Sequence, residues 1–366
     1  MEAAERRYDI DWLRVIAIAL LLVYHAAIVF QPWGVFIGFI QSQKSLEWLW
    51  IPMSMLNIWR IPLLFFVSGM GVCFALRNRS WKALISERSR RILLPFLFGV
   101  VCIVPLHELI WHNYYNQEYS YSVSRGHLWF LGNIFAYVLL LLPVFYYLKK
   151  KVNNSFHRLI ERLLGSPLSL LVVVLPFIAE ALVLQPEAYE LYAMSWHGFF
   201  IGLLAFFFGF IMVYGGRQFW KVISRWRWAY FAMAMLLYSI RLLVFELQAP
   251  MYLLPIESIA WIYTVFAFGY QYLNRPSALL SYLSKAAYPV YIWHMVFLYA
   301  GAVVVLPLII VTELKFAILT IGSIAGSMII YEFVIRRISW LGILFGCKKT
   351  KHAKVNYSAG YKSVLT

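Results

Sequence analysis

Long apolar runs alternate with short polar breaks along the chain, and the runs approach the roughly 20 residues a helix needs to cross a bilayer. Ten stand out, at 10–31, 52–76, 92–112, 127–148, 168–184, 196–215, 226–247, 252–273, 288–309 and 315–336, the fifth being the shortest. Residues 46–53, with Trp48 and Trp50, read as an interfacial lead-in to the second run, and aromatics flank many of the others, as membrane interfaces favour. The pattern predicts an all-α integral membrane protein, a bundle of about ten transmembrane helices over residues 1–340. Residues 341–366 are polar and basic and are expected to form a disordered cytoplasmic tail.

Composition narrows the class further. Hydrophobic residues make up 63% of the chain and charged residues 13%, which excludes a soluble fold, a disordered chain and a coiled coil. The net charge of +16 would suggest nucleic acid if it were clustered on one surface. Its distribution says otherwise. With the amino terminus inside, 26 of the 32 Lys and Arg fall in inner segments, three in outer loops (Lys44, Arg125, Lys315) and three inside runs (Arg14, Arg60, Arg241). That bias predicts both termini cytoplasmic and no nucleic-acid partner, and the expected location is the inner (cytoplasmic) membrane, crossed many times. Cys73, Cys102 and Cys347 fit neither a disulfide framework nor a zinc site. No small-residue cleavage site follows the first run, so no cleavable signal peptide is expected. No metal constellation, glycine-rich phosphate loop or nucleophile elbow is present, so neither a metal nor a resident cofactor is expected.

Ionisable groups within spans cost roughly 2.5–3.5 kcal/mol each at the helix centre and are functional candidates for that reason. The first run carries Asp11, Arg14 and His25. At about 100° per residue all three share one stripe, with His25 roughly 16 Å deeper than Arg14. The alternative is an Asp11–Arg14 pair at the helix start and a histidine bonding its neighbour. Toward the outside lie Arg60, His107, Glu108, His127, Trp129, Arg241, Glu246 and Glu257, which suit either a polar substrate site or structural ion pairs. On the inner side Arg88, Arg90 and Arg91 precede Pro95; they serve either as topology charges or as guanidinium forks for a phosphate-rich ligand. His294 sits in an aromatic run and suits a packed core as well as a substrate contact, Glu180 reads as an interface residue, and His112, His157, His197 and His352 are assigned no role.

Several stretches carry a family resemblance. D-W-L-R-V-I-A at 11–17 is followed by His25; then come L-F-F-V-S-G-M at 64–70 and R-S-R-R-I-L-L-P at 88–95. H-L-W-F-L at 127–131, S-K-A-A-Y-P-V-Y-I-W-H at 284–294 and Y-E-F-V-I-R-R at 331–337 complete the series. In this order the blocks resemble the membrane-bound acyltransferase-3 family, which acylates cell-surface glycans, and look closest to its periplasmic-glucan succinyltransferase branch. The resemblance implies an acyl-CoA-dependent membrane O-acyltransferase that moves an acyl group, acetyl or succinyl, from cytoplasmic acyl-CoA to a hydroxyl of a surface or periplasmic carbohydrate. His25, Asp11 and Arg14 would form the catalytic stripe, with His25 the essential histidine, as general base or as acyl carrier. Arg14, Arg88, Arg91, Ser68 and Gly69 would bind acyl-CoA, the co-substrate. Arg60, Glu108, His127, Trp129 and His294 would bind the acceptor. The competing reading, from another class, is a secondary transporter or flippase for an anionic or glycan-linked solute that uses the same charges as a path. A purely structural membrane protein is disfavoured by the Asp11–Arg14–His25 stripe.

Overall fold

The computed structural model describes residues 6–152 and 154–347, and among them there is no β-strand. The helices are α1 (Tyr8–Ile28), α2 (Trp50–Arg77), α3 (Trp81–Tyr114), α4 (Trp129–Lys150), α5 (Ser155–Leu164), α6 (Ser169–Leu184), α7 (Trp196–Tyr214), α8 (Arg217–Arg225), α9 (Arg227–Leu243), α10 (Leu253–Tyr272), α11 (Ala278–Val305), α12 (Thr312–Ile335) and α13 (Ser339–Leu344).

All ten apolar runs are helical, but among the described residues eight helices are long and apolar enough to cross a membrane, α1, α2, α3, α4, α7, α10, α11 and α12, with the bent pair α5–α6 a ninth if it counts as one broken span. The other two runs form α6, of 16 residues, and α9, of 17. At about 1.5 Å per residue these are short of a hydrocarbon core of roughly 30 Å. Local breaks cut them down. The Gly165–Ser166–Pro167 segment bends α5 and α6 by 93° to one another. Glu246 and Leu247 take left-handed backbone (φ 48° and 68°) just after α9. Both short helices pack within the bundle, α6 on α7 and α10, α9 on α10.

Small residues set the closest packing. α2 and α7 interlock through two glycines: a β-carbon on Gly69 would collide with the Phe206 carbonyl, and one on Gly209 with the Phe66 carbonyl. In lipid, backbones approach this closely only where side chains are absent. α3 is one rod with two π-helical turns, Ser89–Leu93 and Gly99–Ile103, running into Pro95 and Pro105. Proline removes the donor that the regular ladder needs, and a wider turn absorbs the defect.

At the amino-terminal end, Asp9 is fully buried and takes a bidentate bond from Arg7 (2.8 and 2.6 Å), whose guanidinium lies over Trp220. The described part of the expected tail is folded. α13 packs on the middle of α3, and Phe345 is buried against Phe98 and Trp293. Residues 348–366 of that tail lie outside the described residues.

Candidate active site

A cavity of about 840 Å³ runs between α1, α2, α3, α4 and α11. On α1 it is lined by Arg14, Ile18, Leu21, Tyr24 and His25, and on α2 by Asn57, Arg60, Ile61, Leu64 and Ser68. Both sets recur every three or four residues, the signature of one helix face. The loop segments 120–126 and 188–194, with Trp33 and Trp50 near the start of α2, line its far end. The cavity therefore connects the Arg14 level to the loops beyond His25.

At the Arg14 end two guanidiniums converge on Gly71, and of the two only Arg14 lines the cavity. Arg88 donates from Nη2 to the Gly71 carbonyl (3.1 Å), and Arg14 Nη2 lies 3.9 Å from where a β-carbon on Gly71 would stand. Arg88 Nε is buried without a partner. Asp11 lies 3.5 Å from Arg14 Nη1 and is bound by Arg6 as well. It stands outside the cavity lining, one turn below Arg14, and so orients Arg14 rather than meeting a reacting group. The remaining expected donor contacts separate. Ser68 lines the cavity, with its hydroxyl donating to the Leu64 carbonyl. Gly69 faces α7 instead, because helical geometry turns it away from Ser68 by about 100°. Arg91 is held at the protein surface by Glu87 (3.1 Å), which also takes Arg79.

Midway along, His25 Nδ1 is 2.8 Å from His294 Nε2, and His294 Nδ1 is 2.6 Å from the Tyr291 carbonyl. A carbonyl only accepts, so His294 carries its proton on Nδ1 and offers a lone pair at Nε2. His25 must then donate from Nδ1, which leaves its own Nε2 as the lone-pair nitrogen. His25 lines the cavity, and no hydrogen bond among the described residues occupies Nε2. His294 is fully buried and outside the lining, so it is a partner of His25 rather than an acceptor contact.

The outward set divides as well. Arg60, His107, Glu108, His127 and Trp129 line the cavity. His127 donates from Nε2 to the Ile292 carbonyl (3.1 Å), and its own carbonyl accepts from the Tyr291 hydroxyl. Arg241 and Glu257 form a buried bidentate pair away from the cavity (2.7 and 2.9 Å), and Glu246 lies in the turn after α9. Glu180 is buried on His197 (2.9 Å), which also contacts the Tyr189 carbonyl, so this pair anchors the 185–195 loop.

Sequence reading missed the contribution of that loop. Glu190 lines the cavity and reaches Arg241 (3.6 Å). Burial raises its carboxyl above the ordinary range, opposed by its own backbone N–H and by Arg241. His112 also lines the outer end. The spacing of His112 from Glu108, one turn away on α3, was the available signal.

A family model described as an acyltransferase domain (acyltransferase-3) matches residues 7–332, nearly the whole membrane bundle. The chain belongs to the acyltransferase-3 family. Acyl transfer is thus its activity, and every cavity residue named above falls inside the matched region. No curated protein and no solved structure matches the chain.

Proposed function

We propose that this acyltransferase moves a short acyl group, acetyl or succinyl, from cytoplasmic acyl-CoA to a carbohydrate hydroxyl on the outer side of the inner membrane. The observation that carries the reading is His25: an imidazole with an open Nε2, inside a cavity that extends from Arg14, with Arg88 beside it on Gly71 outside the lining, to aromatic outer loops. The phosphates of CoA suit Arg14 and Arg88, since guanidinium forks match phosphate oxygens. The pantetheine arm would run past Ser68 along the shared faces of α1 and α2 and bring the thioester to His25. At the outer end Trp33 and Trp50 offer apolar faces for a sugar ring, with Trp129 deeper beside Phe65, and Glu108 and His127 offer polar contacts for its hydroxyls. Acyl-CoA is consumed as co-substrate, and no resident cofactor takes part in this scheme.

Chemically, the acceptor hydroxyl gives its proton to His25 Nε2 as its oxygen attacks the thioester carbon. The tetrahedral intermediate then expels the CoA sulfur, which takes the proton back. His294 holds the imidazole in the required tautomer and accepts from Nδ1 while the ring is cationic. A positioned base contributes about 100- to 10,000-fold. In purified protein, His25→Ala is expected to keep acyl-CoA binding and to lose acceptor-dependent thiol release by at least about 100-fold. A variant that acylates carbohydrate at near wild-type rate would remove His25 from the chemistry. A stoichiometric burst of thiol without acceptor would favour an acyl-imidazole intermediate over direct transfer. Solute movement by wild-type protein with no thiol released would instead favour the transporter reading.

A further inference from the structure

Among the described residues Arg60 and Arg241 are fully buried arginines and Arg7 is partly buried, and of these three only Arg60 lacks a carboxylate. Arg7 is clasped by Asp9, and Arg241 by Glu257 and Glu190. Arg60 has 1% of its surface exposed and no ion pair among the described residues. Its Nε is buried without a partner, and its Nη1 makes one long bond to the Leu20 carbonyl (3.5 Å). The Tyr24 ring, 4.0 Å beneath the guanidinium carbon, offsets part of the lost hydration by cation–π attraction. A protein rarely buries a cation in this way unless something else supplies the anion.

Position says where that anion forms. Arg14 on α1 and Gly71 on α2 share one level, as their proximity requires. α1 and α2 pack against each other, and their chain directions are opposed. Eleven residues up α1 from Arg14 is His25; eleven residues up α2 from Gly71 is Arg60. Both climb about 16 Å, so the guanidinium and the imidazole stand at one depth across the same cavity. Arg60 also bonds α1 within two turns of His25.

We propose that Arg60 is a catalytic residue: its guanidinium binds the thioester carbonyl oxygen and stabilises the oxyanion that develops there. This rests on the acyl-transfer reading of the cavity. As the acceptor oxygen bonds to the acyl carbon and its proton passes to His25 Nε2, the carbonyl π electrons move onto oxygen, where Arg60 faces them. When the C–S bond breaks, those electrons re-form the carbonyl, and the leaving thiolate takes the proton from His25. A fixed donor in a dry site stabilises such charge far better than water does, because it needs no reorganisation during the reaction. The absence of a protein counter-ion serves this role, since a resident carboxylate would compete with the oxyanion.

The test uses the full-length protein in detergent or nanodiscs, with acetyl-CoA, butyryl-CoA and succinyl-CoA as donors. Arg60→Gln and Arg60→Lys are compared with wild type for donor affinity and for acceptor-dependent thiol release. Removing one such donor typically costs about 100- to 1,000-fold in turnover. The expected result for Arg60→Gln is a loss of that order in kcat, equal for all three donors, with donor affinity within a few-fold of wild type. Arg60→Lys, which keeps the charge but loses the planar fork, is expected to fall between. If Arg60→Gln does not fold, Arg60→Lys carries the comparison, and guanidinium added to a folded Arg60→Gly variant should restore turnover. A loss confined to succinyl-CoA would overturn the proposal and make Arg60 a contact for an acyl carboxylate. A loss of affinity for every donor, or no loss at all, would overturn it too. If wild type releases thiol while the Arg60 variants keep its rate, only this proposal fails; if wild type consumes no acyl-CoA, the reading beneath it fails as well.

Discussion

His25 and His294 show how two imidazoles can be sorted by hydrogen bonds into one with an open nitrogen, the proposed base, and one that holds it. The Tyr291 carbonyl fixes the His294 tautomer, His294 fixes that of His25, and the chain of donors ends at an open Nε2. In the proposed reaction His294 acts through His25 and is a positioning residue. Its test separates position from packing. His294→Gln, whose side-chain oxygen can accept near the same place, is expected to stay within about tenfold of wild-type turnover, whereas His294→Met should lose about 100-fold or more. Donor affinity should hold in both. Nitrogen-15 spectra of His25 should show the Nδ1–H tautomer in wild type and in His294→Gln, and a mixture in His294→Met. Equal turnover of Gln and Met variants, or an Nε2–H His25 in wild type, would reduce His294 to core packing. The sequence made His25 visible because a lone imidazole on the same stripe as Arg14 has a period and a depth. It could not reveal the pair: 269 residues separate the partners, and the aromatic run around His294 reads equally well as core.

At the scale of elements, the basic run before Pro95 changes meaning once its helix is known. In a regular helix Arg88 and Arg91, three residues apart, share a face, and both would reach a phosphate. The π-turn at Ser89–Leu93 widens the rod and shifts the register between them. Arg88 turns inward to Gly71 and Arg14, while Arg91 stays at the surface with Glu87. The two arginines should therefore part in function. Arg88→Gln is expected to weaken acyl-CoA binding about 10- to 100-fold, the worth of a charge-assisted bond to phosphate. Arg91→Gln, losing an exposed pair, should change affinity and stability little. Calorimetric titration with CoA and with dephospho-CoA checks both, and equal losses would return Arg91 to the donor site. The same distinction holds on α2, where Ser68 lines the cavity and Gly69 seats α7. A motif names both residues; only the packed helix says which face each one takes. Span lengths followed the same logic: hydropathy located all ten helices, but the bend before α6 and the left-handed turn after α9 shorten two of them.

For the whole molecule, the decisive feature is that one cavity serves two ends of different chemistry. Arg14 lines one end, with Arg88 beside it on Gly71, and aromatic and hydroxyl-bearing loops line the other, with His25 and Arg60 level between them. In the proposed topology, drawn from the 26-to-3 distribution of Lys and Arg over ten runs, the guanidinium end faces the cytoplasm. A donor with several phosphates cannot cross the bilayer unaided, and a carbohydrate cannot either, so in the proposed scheme each substrate enters from its own face. In the proposed reaction the acyl group alone crosses the membrane, as part of a thioester on one side and of an ester on the other. Proteoliposomes holding the protein in one orientation test this directly. With acyl-CoA outside vesicles whose cytoplasmic face is outward, thiol should appear outside only when acceptor carbohydrate is enclosed, and the acylated carbohydrate should be recovered from the lumen. Enclosing donor and acceptor together, or supplying both outside, should give less than about a tenth of that rate, since one substrate then faces the wrong end of the cavity. Equal rates with both substrates on one face would show that the two ends are not separate entrances. In that case the imidazole and guanidinium would have to serve substrates arriving from a single side.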